Sequence, residues 1–251
     1  MSNENAWPIK RKFPRIVLPK NLNDLHRIIG VNASVISGPN VPVLDLSYGG
    51  AALEMGPSSD NHKIGDKIGI QFLLEDQMLK PITSEIVRIS GNALGVSFKE
   101  MTPETRLGFD QIIKDKMIGL NTYQIRTDLL NPFERRLDLS CWFHGPRDTN
   151  IFIWQRHGHI DKAVIEYDYY LIHFESGLFK ISRTEPDSEL ESDGYVAYFE
   201  KTSAGQELIA KDLEVLKRIV GLISQIPVRS AEIGWLMDIL LGKLKVSYKK
   251  A

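Results

Sequence analysis

Two clusters of chemically capable residues lie close together near the start of the chain. Arg11 and Arg15 bracket Lys12-Phe13-Pro14 in a polar, extended segment, and Asp45-Leu46-Ser47-Tyr48-Gly49-Gly50 closes an apolar run from Val41 to Leu46. Arginine carries a planar fork that bonds phosphate oxygens, or the O6/N7 edge of guanine, in pairs, and its flat face stacks on a base. Spacing of four on a flexible arm lets Arg11 and Arg15 grip different parts of one ligand. Asp45, as a carboxylate, only accepts, which suits the N1 and N2 hydrogens of guanine, and Ser47 is a small donor or acceptor beside it. In a strand, positions 45 and 47 project to the same face, so both polar tips meet one ligand surface. Gly49 and Gly50 permit a tight turn and close backbone approach.

Either motif alone is weak, because short patterns of this kind recur by chance. R-x-x-x-R followed about thirty residues later by D-x-S-x-x-G is specific, and in this order the pair resembles the ligand signature of the PilZ domain, a bacterial receptor module for cyclic di-guanylate. The following stretch resembles that family too: a strand opened by Gly65, a later strand with Val87-Arg88, then Gly95-Val96-Ser97-Phe98. The resemblance covers roughly residues 8 to 118. It implies Lys10, Arg11, Arg15, Asp45, Ser47, Gly49 and Gly50 as contacts to cyclic di-guanylate, with the arginine arm folding over the nucleotide. A basic residue just before R-x-x-x-R accompanies a stacked ligand dimer in this family, and Lys10 occupies that place. The dinucleotide would be a ligand, with no cofactor and no catalytic residue.

The surrounding elements read as an antiparallel barrel. After Ala51 to Glu54 and a turn at 57–61, Ile68, Ile70 and Phe72 alternate in a strand from Lys67 to Leu74. Further strands run from about Lys80 to Ile89 and from Leu94 to Phe98. Thr102 is the expected N-cap of a helix, with Pro103 at its first position, Leu107, Ile113 and Met117 buried, and Gly119 as its stop.

From residue 119 a second unit is expected, for which no family is recognised. Asn121 to Glu134 reads as a polar connection, followed by strands at Leu137 to Phe143, Asn150 to Gln155, Lys162 to Tyr167, Tyr170 to Phe174, Leu178 to Arg183 and, after an acidic loop, Tyr195 to Glu200. A capping box at Ser203 to Gln206 opens a helix with Ile209, Leu213, Leu216, Val220 and Ile223 on one stripe, and Ser230 caps a second helix. Leu137-Asp138-Leu139-Ser140 echoes Leu44-Asp45-Leu46-Ser47, which admits a degenerate second barrel, although Cys141-Trp142-Phe143 replaces the Tyr-Gly-Gly turn.

Composition narrows the function. A chain of 251 residues with 43% hydrophobic residues, 25% charged residues and net charge −1 reads as a soluble globular protein and disfavours a nucleic-acid binder. The single cysteine, Cys141, excludes an internal disulfide and fits a reducing cytoplasm. No apolar run reaches the length of a membrane span. His157-Gly158-His159 reads as a hairpin turn before a metal site, and Cys141 as a buried apolar residue before a nucleophile. P-loop, nucleophile-elbow and H-E-x-x-H patterns are absent.

The expected architecture is therefore α+β. An antiparallel six-stranded β-barrel with a C-terminal helix (1–118) precedes a β-rich domain ending in a helical hairpin (119–251). The expected function is a cytoplasmic, non-enzymatic cyclic di-guanylate effector that relays the signal to a partner protein through the second domain. A ligand-independent scaffold of the same family and a ligand-gated DNA-binding regulator are the alternatives. Stoichiometry, oligomeric state and pathway (motility, pili, polysaccharide secretion or virulence) stay open.

Overall fold

The computed structural model describes residues 13–18, 30–36, 38–56, 61–74, 77–127, 139–183, 210–228 and 230–248. The chain divides into two compact units, Met1–Lys114 and Asp115–Ala251. The expected capping box at 203–206, the acidic loop, the strand at 195–200, and Lys10 and Arg11 lie outside the described residues.

In the first unit the strands are β1 (Ile16–Val17), β2 (Asn32–Val35), β3 (Asn40–Ser47), β4 (Gly50–Glu54), β5 (Lys67–Leu74), β6 (Gln77–Met78), β7 (Ile82–Ser90) and β8 (Ala93–Glu100). Six of them pair antiparallel in the ring order β3-β2-β5-β7-β8-β4, and β4 returns to β3, which closes the barrel as expected. Closure removes the free edges that an open sheet would present. Residues at strand spacing fill the interior: Val41 and Val43, Ala51 and Leu53, Ile70 and Phe72, Ile82 and Ile86, Leu94 and Val96 are all buried. The two-residue β1 adds to β3 at Leu46 and Asp45, beyond the stretch of β3 that β2 covers.

Helix α1 (Pro103–Leu120) starts where the sequence places it. The Thr102 hydroxyl accepts the Thr105 N–H at 3.2 Å, satisfying an orphan donor of the first turn. Two expectations fail further along. Leu107 is 66% exposed, because Thr105, Phe109, Ile112 and Ile113 form the buried face and Leu107 points the other way. Gly119 does not stop the helix, which runs to Leu120. A Cβ at residue 119 would lie 1.9 Å from the Leu222 carbonyl oxygen, so close backbone approach, not termination, requires glycine there. Phe109 makes edge contacts with Phe72 and Phe98, at ring-centroid distances of 5.3 and 5.6 Å, each such pair adding about 0.5–1.5 kcal/mol beyond area burial.

The second unit holds an open antiparallel sheet in chain order: β9 (Tyr123–Ile125), β10 (Cys141–Gly145), β11 (Thr149–Arg156), β12 (His159–Tyr167), β13 (Tyr170–Glu175) and β14 (Leu178–Arg183). This corrects the reading of 121–134 as connection throughout, since Tyr123, Gln124 and Ile125 pair with His144, Phe143 and Trp142. It also removes the second-barrel reading: among the described residues these strands form a meander with no closing pair. The hairpin turns carry residues with φ near +50 to +80°, including Asp168-Tyr169 and His157-Gly158, which is the twist that two-residue turns between antiparallel strands need.

Two helices complete the unit, α2 (Ala210–Ile223) and α3 (Ala231–Tyr248), the latter capped by the Ser230 hydroxyl, which accepts the Ile233 N–H at 3.3 Å. Leu216, Val220 and Ile223 of α2, with Ile233, Leu236, Leu240 and Leu244 of α3, are buried at helical spacing. The Arg218 guanidinium ties three elements together. It donates to Asp115 at 3.0 and 3.3 Å, to the Tyr167 hydroxyl at 2.6 Å and to Asp168 at 2.5 Å, while Tyr167 also bonds Asp115. Those bonds offset the cost of burying Asp115, which is 8% exposed. Among the described residues no helix is long and apolar enough to cross a membrane.

Candidate ligand-binding site

The motif strand β3 begins with Val41 and Val43 facing the core. Strict alternation would turn Asp45 inward as well. A β-bulge between Val43 and Asp45 resets the phase against β4, sending Leu46 into the core and leaving Asp45 half-buried on the outside. The polar group of the motif is therefore presented by an irregularity in its own strand.

Arg15 comes to Asp45 through β1. Ile16 and Leu18, at 0% and 2% exposure, anchor the arm in apolar surroundings; Ile16 pairs with Leu46, Val17 with Asp45, and the Leu18 N–H donates to the Leu44 carbonyl at 2.9 Å. Arg15 Nη1 then donates to Asp45 Oδ2 at 2.9 Å. The two side chains keep 43% and 20% of their surface exposed, and a pair this open to water is worth about 1 kcal/mol or less, so either partner can be drawn to a ligand cheaply.

Ser47 and the glycines form the turn between β3 and β4. The Ser47 hydroxyl accepts the Gly49 N–H at 3.3 Å and donates to the Gly50 carbonyl at 3.2 Å, and only 8% of the residue is exposed. In this state its hydroxyl serves the turn. A Cβ on Gly50 would sit 2.1 Å from the Val96 carbonyl oxygen on β8, whereas one on Gly49 would meet the Phe13 ring at 3.0 Å. Gly50 is thus required where β4 closes the barrel, whereas Gly49 sits against the Phe13 ring of the arm, which a methyl group would only push aside.

The structure brings Arg15, Asp45, Ser47, Gly49 and Gly50 together. It also gathers residues that reading the motifs had not selected. Phe13 and Tyr48, at variable positions inside the two motifs, have ring centroids 6.2 Å apart, and Tyr48 meets Phe109 at 6.2 Å. A cavity of about 250 Å³ opens beside them, lined also by Phe98 and by Arg106 of α1. Aromatic residues within the motifs were the visible signal for the first two. Nothing local marks Arg106, which is separated from the motifs by most of the barrel sequence.

A larger cavity of about 470 Å³ lies in the second unit beside the turns at 146–148 and 168–169, lined by Arg147, Asp148, Glu166 and Tyr169 among others, and by no motif residue. Cys141 of β10, which does not line this cavity, is buried, and burial, followed by the charge and hydrogen bond of Glu232, pushes its thiol up to about 11, far from a reactive thiolate. Among the described residues no group of three or more His, Cys, Asp or Glu side chains is arranged to hold a metal ion.

Residues 9–115 match the PilZ domain family, and no family covers the remainder. No curated protein matches the chain. Among solved structures, an uncharacterised Legionella protein is similar at 15% identity and a TM-score of 0.29, over 41% of this chain and 98% of its own. The PilZ domain of CeSA from a cellulose-synthesizing bacterium is similar at 18% identity and a TM-score of 0.25, over 34% and 90% of the two chains.

Proposed function

We infer that the PilZ domain matched by residues 9–115 makes this protein a receptor for cyclic di-guanylate. PilZ domains are a receptor family for that dinucleotide and bind rather than catalyse. The observation that supports the reading is the meeting of the two motifs across thirty residues of chain, with Arg15 2.9 Å from Asp45 on the outside of a closed barrel.

Binding exchanges partners at that ion pair. Asp45 turns to the N1 and N2 hydrogens of a guanine, and Arg15 turns its fork to a phosphate or to a guanine O6/N7 edge. Lys10 and Arg11 contribute the further positive charge that two phosphates need. Strand β1 holds the arm beside β3, with Val17 paired to Asp45, which keeps Arg15 where it can meet the same ligand as Asp45. The ligand shifts the arm only by as much as it prefers the closed arrangement. The second unit passes that change to a protein partner in the cytoplasm, in a pathway such as motility, pilus function, polysaccharide secretion or virulence.

Isothermal calorimetry with cyclic di-guanylate tests the reading. The wild-type chain is expected to bind, and Arg15→Ala to lose roughly tenfold to hundredfold, the worth of one charge-assisted bond. Undiminished binding by an Arg11→Ala/Arg15→Ala double variant would overturn the site, and a wild-type chain that binds nothing would favour the ligand-independent scaffold.

A further inference from the structure

We propose that the cavity beside the motif turn is a guanine subsite, with Arg106 of α1 reading the O6/N7 edge of the base. The inference rests on the receptor reading and deepens it: cyclic di-guanylate has two guanines, and Asp45 serves only one.

Size, walls and polar groups all favour a base. At about 250 Å³ the cavity falls below the ~300–1,000 Å³ that holds a whole small-molecule ligand, so it takes one ring system and not the dinucleotide. Phe13, Tyr48, Phe98 and Met101 supply apolar lining. Two of those rings are held in place from behind: Phe98 stands edge-on to Phe72 and Phe109 at 5.9 and 5.6 Å, and Tyr48 edge-on to Phe109 at 6.2 Å. Rigid aromatic walls lose little entropy when a base stacks on them.

Two polar side chains on the lining complement guanine and not adenine. The Arg106 fork can donate to O6 and N7 together, and Glu100 can accept from N1 and N2. Adenine presents an amino donor where guanine has O6, and would face the guanidinium with the wrong sign. Lys99, also on the lining, is engaged with Glu85 at 3.0 Å. Phe98, Glu100 and Arg106 lie outside both motifs, so the subsite joins the motif turn to the end of β8 and the first turns of α1.

Calorimetry on the full-length chain with cyclic di-guanylate, alongside thermal melting, decides the matter. Arg106 is exposed and its substitution should leave the melting temperature unchanged. Both Arg106→Ala and Arg106→Lys are expected to weaken binding about tenfold or more, because an ammonium cannot bond O6 and N7 as a fork does. Wild-type affinity in Arg106→Lys would overturn the subsite by showing that only charge is needed, as for a phosphate. Wild-type affinity in Arg106→Ala would overturn it outright while leaving the receptor reading intact. If the wild-type chain fails to bind, the receptor reading itself falls and the subsite falls with it.

Discussion

The glycines of the second motif divide their work between architecture and site. A methyl group at residue 50 would have to displace the β8 backbone at Val96, and backbone cannot yield as a side chain can. Gly50→Ala is therefore expected to destabilise the first unit by about 3 kcal/mol or more, and Gly49→Ala, which only pushes the Phe13 ring, by about 1 kcal/mol; urea unfolding of the two variants checks the order. Asp45 makes a different kind of contribution, one of selection. Asp45→Ala is expected to weaken cyclic di-guanylate more than its adenine analogue, because only guanine offers the N1–H and N2–H pair; equal losses in calorimetry would reduce Asp45 to a partner for Arg15.

At the scale of elements, the second unit's sheet carries a built-in acid sensitivity. His173 on β13 is held below its ordinary value, chiefly by burial and then by Lys162, with Lys180 acting the same way and Glu175 opposing. Its Nε2 is buried with no hydrogen-bond partner among the described residues. The unfolded chain protonates His173 near 6.5 while the folded chain resists, so the unfolded state binds more protons and stability falls as pH drops through that value toward the folded one. Glu166 works with the opposite sign: burial raises its carboxyl, which lowers stability as pH rises past 4.5. Comparing His173→Leu with the wild-type chain cancels that common background. Between about pH 7.5 and about pH 5.5 the variant is expected to lose less stability than the wild type, as read by urea midpoints.

For the molecule as a whole, the question is where an independent receptor ends. The two compact units divide at Lys114 and Asp115, inside α1, and Asp115 belongs by its bonds to Arg218 and Tyr167 of the second unit. A fragment of residues 1–118 still contains every barrel strand and the buried helix face from Thr105 to Ile113. It is expected to fold alone and to bind cyclic di-guanylate with the affinity of the full chain, by circular dichroism and calorimetry. An unfolded fragment would show that the barrel draws stability from beyond Ile118.

What the sequence alone determined was whatever is encoded locally. Apolar runs and turn residues set out the barrel strands apart from Asn32–Val35, which carries one of the shortest and least patterned apolar stretches, Thr102 and Ser230 marked helix starts, and the motif pair marked β3 as the strand that matters, because strand period, capping and turn chemistry act over a few neighbouring residues. Tertiary structure decided whatever depends on segments remote in the chain. The bulge that turns Asp45 outward exists only against β4, Gly119 is glycine because of a carbonyl at Leu222, and Tyr123–Ile125 became a strand because β10 offered an edge. Arg106 reaches the motif turn only because a closed barrel carries the first turns of α1 there. A local pattern fixes which way a side chain points along its own element, but which remote group it meets is set by packing, and packing is a property of the folded chain.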